Sequence, residues 1–171
     1  MSKIRFMSLW LAVTGLSLAV QAAQAQVYMH GQGLPLALAS QAAMTALNQC
    51  AAKGFPVSVA VLDPSGEMRV FLKADQATVH TKDSSFRKAY TIVTLGPIFH
   101  LDHSSEVAKK LQSNPYGSAF TEIPNILLLP GGAAVRVKGE IVAGIGVSGS
   151  PNGTDDEACA QAGIDAIQAK L

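Results

Sequence analysis

Of the four histidines in the sequence, His80 has the most suggestive company. It opens the stretch from His80 to Thr91, whose spacing predicts a helix, and Arg87 and Lys88 follow about two turns later. An imidazole near one end of a helix and a cationic pair further along suit a planar ligand bearing carboxylates. The same residues also read as a plain helix start capped by Thr81 or Asp83, and the two readings stand level. His100 and His103 have a spacing that sets two metal ligands on one side of a helix. They follow Gly96-Pro97 in a predicted loop, however, with only Asp102 as a further ligand, so a solvated loop is the better reading. His30 falls in a stretch expected to be flexible.

Nucleophile and nucleotide signatures are weak. Ser148, within Gly146 to Ser150, lacks the flanking-glycine spacing of a nucleophile elbow on both sides. Gly144, Gly146 and Gly149 imitate a dinucleotide fingerprint, but they lie in a predicted antiparallel strand and at its end, not at the first turn of a βαβ unit. Close packing of a sheet on a helix, and a backbone-amide loop from Gly149 to Gly153, account for them better. No catalytic residue is assigned.

The two cysteines, Cys50 and Cys159, form an isolated pair. Cys50 shares a helical stripe with Ala39, Ala43 and Ala46, and Cys159 one with Ala162, Ala166 and Ala169. Alanine faces let helices approach closely, as a disulfide requires, so a Cys50–Cys159 bridge is the favoured reading over two buried free thiols.

The compartment bears on that choice. Lys3 and Arg5 precede an uncharged apolar run from Phe6 to Val20, and Ala23-Gln24-Ala25 supplies small residues at both cleavage positions. The expectation is a signal peptide over residues 1–25, cut before Gln26, a flexible mature N-terminus over 26–35, and one folded domain over 36–171. The alternative is a retained anchor, for which the run is slightly short of the roughly 20 residues a spanning helix needs. A periplasmic or secreted protein follows, with no membrane span after cleavage. Losing Lys3 and Arg5 leaves 11 basic side chains against 12 acidic ones, a net charge near −1, which argues against nucleic acid as a partner. With 49% hydrophobic residues the chain can build a sizeable core.

The elements that position these residues read as follows. Leu36 to Lys53 has helical spacing and stops at Gly54 and Pro56. Val57 to Leu62 and Met68 to Lys73 flank an Asp63-Pro64-Ser65-Gly66 turn and predict a hairpin. Helices follow over Lys82 to Leu95, ended by Gly96-Pro97, and over Ser104 to Gln112. Three further strands are expected at Ile126 to Leu129, Ala134 to Val137 and Ile141 to Val147, then a helix from Thr154 to Lys170 with Asp155, Asp156 and Glu157 in its first turn. The order indicates an α+β fold with helices packed on an antiparallel sheet.

Three blocks of sequence carry a resemblance: Val57 to Ala77, Ser84 to Thr91, and Gly139 to Ser150 followed by Asp155 to Gly163. In this order and spacing they resemble the GlcG/HbpS-like family of haem-binding and related proteins, over about Leu36 to Leu171. The resemblance implies a profilin-like domain with a five-stranded antiparallel sheet, homo-oligomers, and in some members extracellular haem binding that serves a sensor protein. Asp63 and Gly66 match its hairpin turn, Asp75 and Ala77 its next segment, Lys88, Ala89 and Thr91 its helix, Gly146 to Gly149 its G-V-S-G, and Asp156 and Glu157 its last helix start. Ala133-Ala134 stand where many relatives have Pro-Ile, which should make that hairpin less rigid.

Taken together, the leading expectation is an exported haem-binding or haem-handling protein, with His80 as axial ligand and Arg87 and Lys88 as propionate partners. The competing classes are an organic-acid binder or enzyme using the G-V-S-G loop with Lys88, and an oligomeric interaction protein without ligand.

Overall fold

β-Branched runs that alternate between two buried faces build the centre of the molecule. In a computed structural model that describes residues 33–171, they form one antiparallel sheet of four strands. These are β1 (Ser58–Leu62), β2 (Met68–Lys73), β3 (Gly132–Val137) and β4 (Glu140–Ser148), in the spatial order β2-β1-β4-β3. The expected signal segment, its cleavage site and His30 lie outside the described residues.

Register gives each face its own partner. Ser58 pairs with Ser148 and Val61 with Ile145, so Val59, Val61, Ile145 and Val147 share one face. That face packs under α1 (Leu36–Ala52) and α4 (Gly153–Asp165). On the other face Ala60 and Leu62 meet α2 (Thr81–Phe99), which packs in turn against α3 (Ser104–Gln112). Gly144 and Gly146 let α2 settle on the sheet, because a Cβ at Gly146 would lie 2.0 Å from the Ser85 carbonyl oxygen. The apparent fingerprint is thus a packing device.

On the outer layer, α1 and α4 touch through small residues. Ala39, Ala42, Ala43 and Ala46 are buried, and a Cβ at Gly163 would lie 2.5 Å from the Ala42 carbonyl oxygen. That approach brings Cys50 and Cys159 to a Cα separation of 5.7 Å, and they form the expected disulfide. The α4 stripe differs from the expected one. Ala160, Gly163 and Ile164 are buried beside Cys159, whereas Ala166 is exposed.

Three element expectations need correction. Ile126 to Leu129 is not a strand, so the sheet has four strands and not five. Its backbone bonds to α2 side chains instead of a neighbouring strand: Leu127 N donates to Thr91 Oγ1 at 2.8 Å, and Arg87 Nη2 donates to the Ile126 carbonyl at 2.8 Å. Second, α2 continues through Pro97 to Phe99, because Pro97 lies in the last turn on the exposed side, and His100 ends the helix in a left-handed conformation. Third, α4 ends at Asp165, where the Ile167 N–H bonds the Ile164 carbonyl and tightens the chain into a 3₁₀ turn that keeps Ile167 buried.

Candidate functional site

A cleft of about 490 Å³ opens where the start of α2, the loop through Leu129 and Pro130, and the connection from β4 to α4 converge. Helical spacing places His80, Ser84 and Lys88 along one stripe of α2, and all three line it. Ser148, Ser150 and Asp156 face them from the β4 end and α4.

The floor of the cleft is an ion pair. Lys88 and Asp156 are 4% and 2% exposed, and Lys88 Nζ donates to Asp156 Oδ2 at 2.7 Å and to the Val147 carbonyl at 3.0 Å. Asp156 Oδ1 accepts from Ser150 N at 2.9 Å. Two charges removed this far from water persist only when each is paired and hydrogen-bonded, as both are here. Gly131 makes the room, since a Cβ there would lie 2.7 Å from Lys88 Nζ. The sequence marked Lys88 as a ligand cation and Asp156 as a helix-start acid; folding spends most of both on each other.

The next residue holds the opposite wall. Glu157 accepts from Gly131 N at 3.2 Å and from Ser105 N at 3.0 Å, and Ser104 Oγ donates to the Leu129 carbonyl at 2.8 Å. Asp156 therefore fixes the Ser150 side and Glu157 the Pro130 to Gly132 side. The stretch expected to be less rigid is held by these bonds and by one from Gly132 N to Ser104 Oγ at 2.8 Å. Nothing in local sequence signals this, because the partners lie 26 to 52 residues away.

At the mouth stands His80, exposed, with Nδ1 3.2 Å from Thr78 Oγ1. Its Nε2 makes no hydrogen bond among the described residues. Leu129, Pro130 and Pro151 give the same cleft an apolar side. Arg87 points elsewhere: it reaches the Ile126 carbonyl and lies 3.7 Å from Asp83, and it does not line the cleft. Neither Thr81 nor Asp83 makes a capping bond at the α2 start. His100 and His103 sit at helix boundaries, and the described residues hold no group of three or more His, Cys, Asp or Glu suited to a metal ion.

Residues 34–165 match the family described as haem degrading protein HbpS-like. The chain belongs to the HbpS-like family. A double mutant of Streptomyces reticuli HbpS shares 38% identity and a TM-score of 0.72, with 87% of this chain and 97% of that one covered. An uncharacterized 15.0 kDa protein from the dhaT-dhaS intergenic region of Citrobacter freundii is 31% identical over 96 residues, spanning 55% of this chain and 64% of that protein. The crystal structure of a PduOC:haem complex shares the fold, at 23% identity and a TM-score of 0.70 over 79% of this chain and 95% of that one. The residues lining the cleft, from the start of α2, the Leu129-Pro130 loop and the β4 to α4 connection, all lie within the matched span. No helix among the described residues is long and apolar enough to cross a membrane.

Proposed function

We propose that this protein is an exported haem-binding protein that takes haem in the cleft beside α2, with His80 as the axial ligand. The observation that carries the reading is the imidazole of His80, exposed at the cleft with Nε2 free, beside the apolar Leu129, Pro130 and Pro151. That donor set fits a porphyrin iron, which binds neutral imidazole and needs an apolar surface for its ring. When bound, haem supplies iron that cycles between oxidation states and holds further axial ligands. The family's description as haem degrading and the haem complex of the similarly folded PduOC support the same ligand class.

In this reading the chain's own groups divide the work. His80 presents the ligand atom, and the proline-rich side excludes water from one face of the ring. Lys88, bonded to Asp156 and to the Val147 carbonyl, holds the floor of the cleft in place and carries no free charge for a propionate. Arg87, which bonds the Ile126 carbonyl at 2.8 Å and lies 3.7 Å from Asp83, stands outside the cleft and takes no propionate in this reading. Export is supported by the leader-like N-terminus and by the Cys50–Cys159 bridge, which persists in oxidising compartments. The organic-acid alternative draws less support from the geometry, because Asp156 already neutralises Lys88 and occupies Ser150 N.

Haemin titration of the purified protein tests the reading. A saturable Soret shift is expected for the wild type and its loss for His80→Ala. An absent shift in the wild type overturns the haem reading, and an unchanged spectrum in the variant removes His80 as ligand.

A further inference from the structure

An exposed histidine ordinarily samples several rotamers and both neutral tautomers, yet the turn that carries His80 is anchored at every level. Begin in the sheet. Ser58 of β1 and Thr81 of α2 are both fully buried, and their hydroxyl oxygens are 2.7 Å apart. Thr81 Oγ1 donates its single proton to the Thr78 carbonyl at 2.7 Å. Ser58 must therefore be the donor in the Ser58–Thr81 contact, and the two hydroxyls form a directed strut from the sheet to the backbone of Thr78. On the other side of the turn, Ser84 N and Ser84 Oγ both donate to the His80 carbonyl at 3.0 Å. Ser84 Oγ then has no second proton, so Ser148 Oγ donates to it across 2.7 Å and ties His80 to the end of β4.

The backbone of residues 78 to 84 is thus fixed from β1 and from β4, and within that frame Thr78 Oγ1 lies 3.2 Å from His80 Nδ1. The 3.2 Å contact can run in either direction, and we infer the one that makes Thr78 a positioning residue for His80: its hydroxyl accepts the Nδ1–H, which favours the tautomer whose Nε2 lone pair is presented to the cleft. Which ring nitrogen carries the proton is set by the bond the other nitrogen makes, and an oxygen acceptor on Nδ1 leaves Nε2 as the donor atom to a metal. The free hydroxyl proton of Thr78 is exposed and turns to water. Thr78 acts through His80 and needs no contact with the ligand. The inference deepens the haem reading and rests on it for the ligand, but not for the tautomer.

The test separates the two. Long-range proton–nitrogen correlation spectra of the ligand-free protein read the His80 tautomer directly. Wild type and Thr78→Ser are expected to show the Nδ1–H form in excess, and Thr78→Val, which keeps the β-branched shape and the carbonyl bonded by Thr81, is expected to lose that excess. Haemin affinity should fall roughly tenfold to a hundredfold in Thr78→Val and recover in Thr78→Ser. An Nε2–H majority in wild type, or a Thr78→Val spectrum identical to wild type, overturns the positioning role. A wild-type Nδ1–H majority that Thr78→Val loses, without any haemin shift, upholds the positioning role and removes haem as the ligand.

Discussion

Removing the Cys50–Cys159 bridge is the perturbation whose size the structure fixes best. The two residues are 109 apart in sequence, so the bond restrains the unfolded chain over most of its length. In the chain-entropy treatment a loop of that size removes about 16 cal/mol/K from the denatured state, which is roughly 4.8 kcal/mol at 25 °C. Urea unfolding with an m-value of about 2 kcal/mol/M converts this to a midpoint lowered by about 2.4 M. Reduction of the wild type and the double variant Cys50→Ala/Cys159→Ala should both show the shift. Alanine is the right replacement because both sulfurs are fully buried against alanines, where serine would strand two hydroxyls. The variant should lie about 1 to 2 kcal/mol below the reduced wild type, the cost of two sulfur-sized voids. Oxidised and reduced midpoints that coincide, or two reactive thiols in denatured unreduced protein, would refute the reasoning.

Two further substitutions probe the cleft and the sheet. Lys88→Met leaves Asp156 buried without its cation and should cost about 3 to 5 kcal/mol, whereas Lys88→Met/Asp156→Leu should recover most of that loss; equal losses would show that the charges are not coupled. Gly146→Ala should cost more than about 3 kcal/mol, because the new methyl would sit 2.0 Å from the Ser85 carbonyl oxygen and 2.6 Å from Ala89 N, both backbone atoms. Gly139→Ala is its control: it meets nothing within 4 Å and should cost about 1 kcal/mol through its positive φ alone, so equal midpoints for the two would refute the packing role.

Much of the fold was legible because its signals are local. The β-branched run before Asp63-Pro64-Ser65-Gly66 marked the first hairpin, and the Asp63 side chain indeed accepts from Ser65 N at 2.9 Å and Glu67 N at 3.1 Å to close it. Alanine stripes marked the α1–α4 contact. Ile126 to Leu129 misled because apolar content and length resemble a strand, while the decisive partners, Thr91 and Arg87, lie more than thirty residues upstream. The candidate site was half legible: His80 and Lys88 do share a cleft, since eight residues is near two helical turns and both fall on the same stripe. Helical spacing does not separate Arg87 from Lys88, since seven residues is at least as near two turns as eight; the Ile126 carbonyl and Asp83 draw Arg87 aside. The Lys88–Asp156 pair spans 68 residues, and no spacing rule couples an α2 lysine to an α4 acid.

The two terminal helices of the fold also impose an order on its synthesis. Cys50 leads the chain, and the helix it must join is made 109 residues later, so α1 waits through the making of the whole sheet before its neighbour exists. Its buried face is alanine and one cysteine, which exposes little apolar area while unpartnered and gives other chains little to hold. Cys50 spends that interval as a thiol. With two cysteines in the whole sequence, oxidation has one intramolecular pairing to find and cannot lock the chain in a misconnected form. A wrong disulfide requires a thiol from another molecule, so within one chain the native pairing is the only one open.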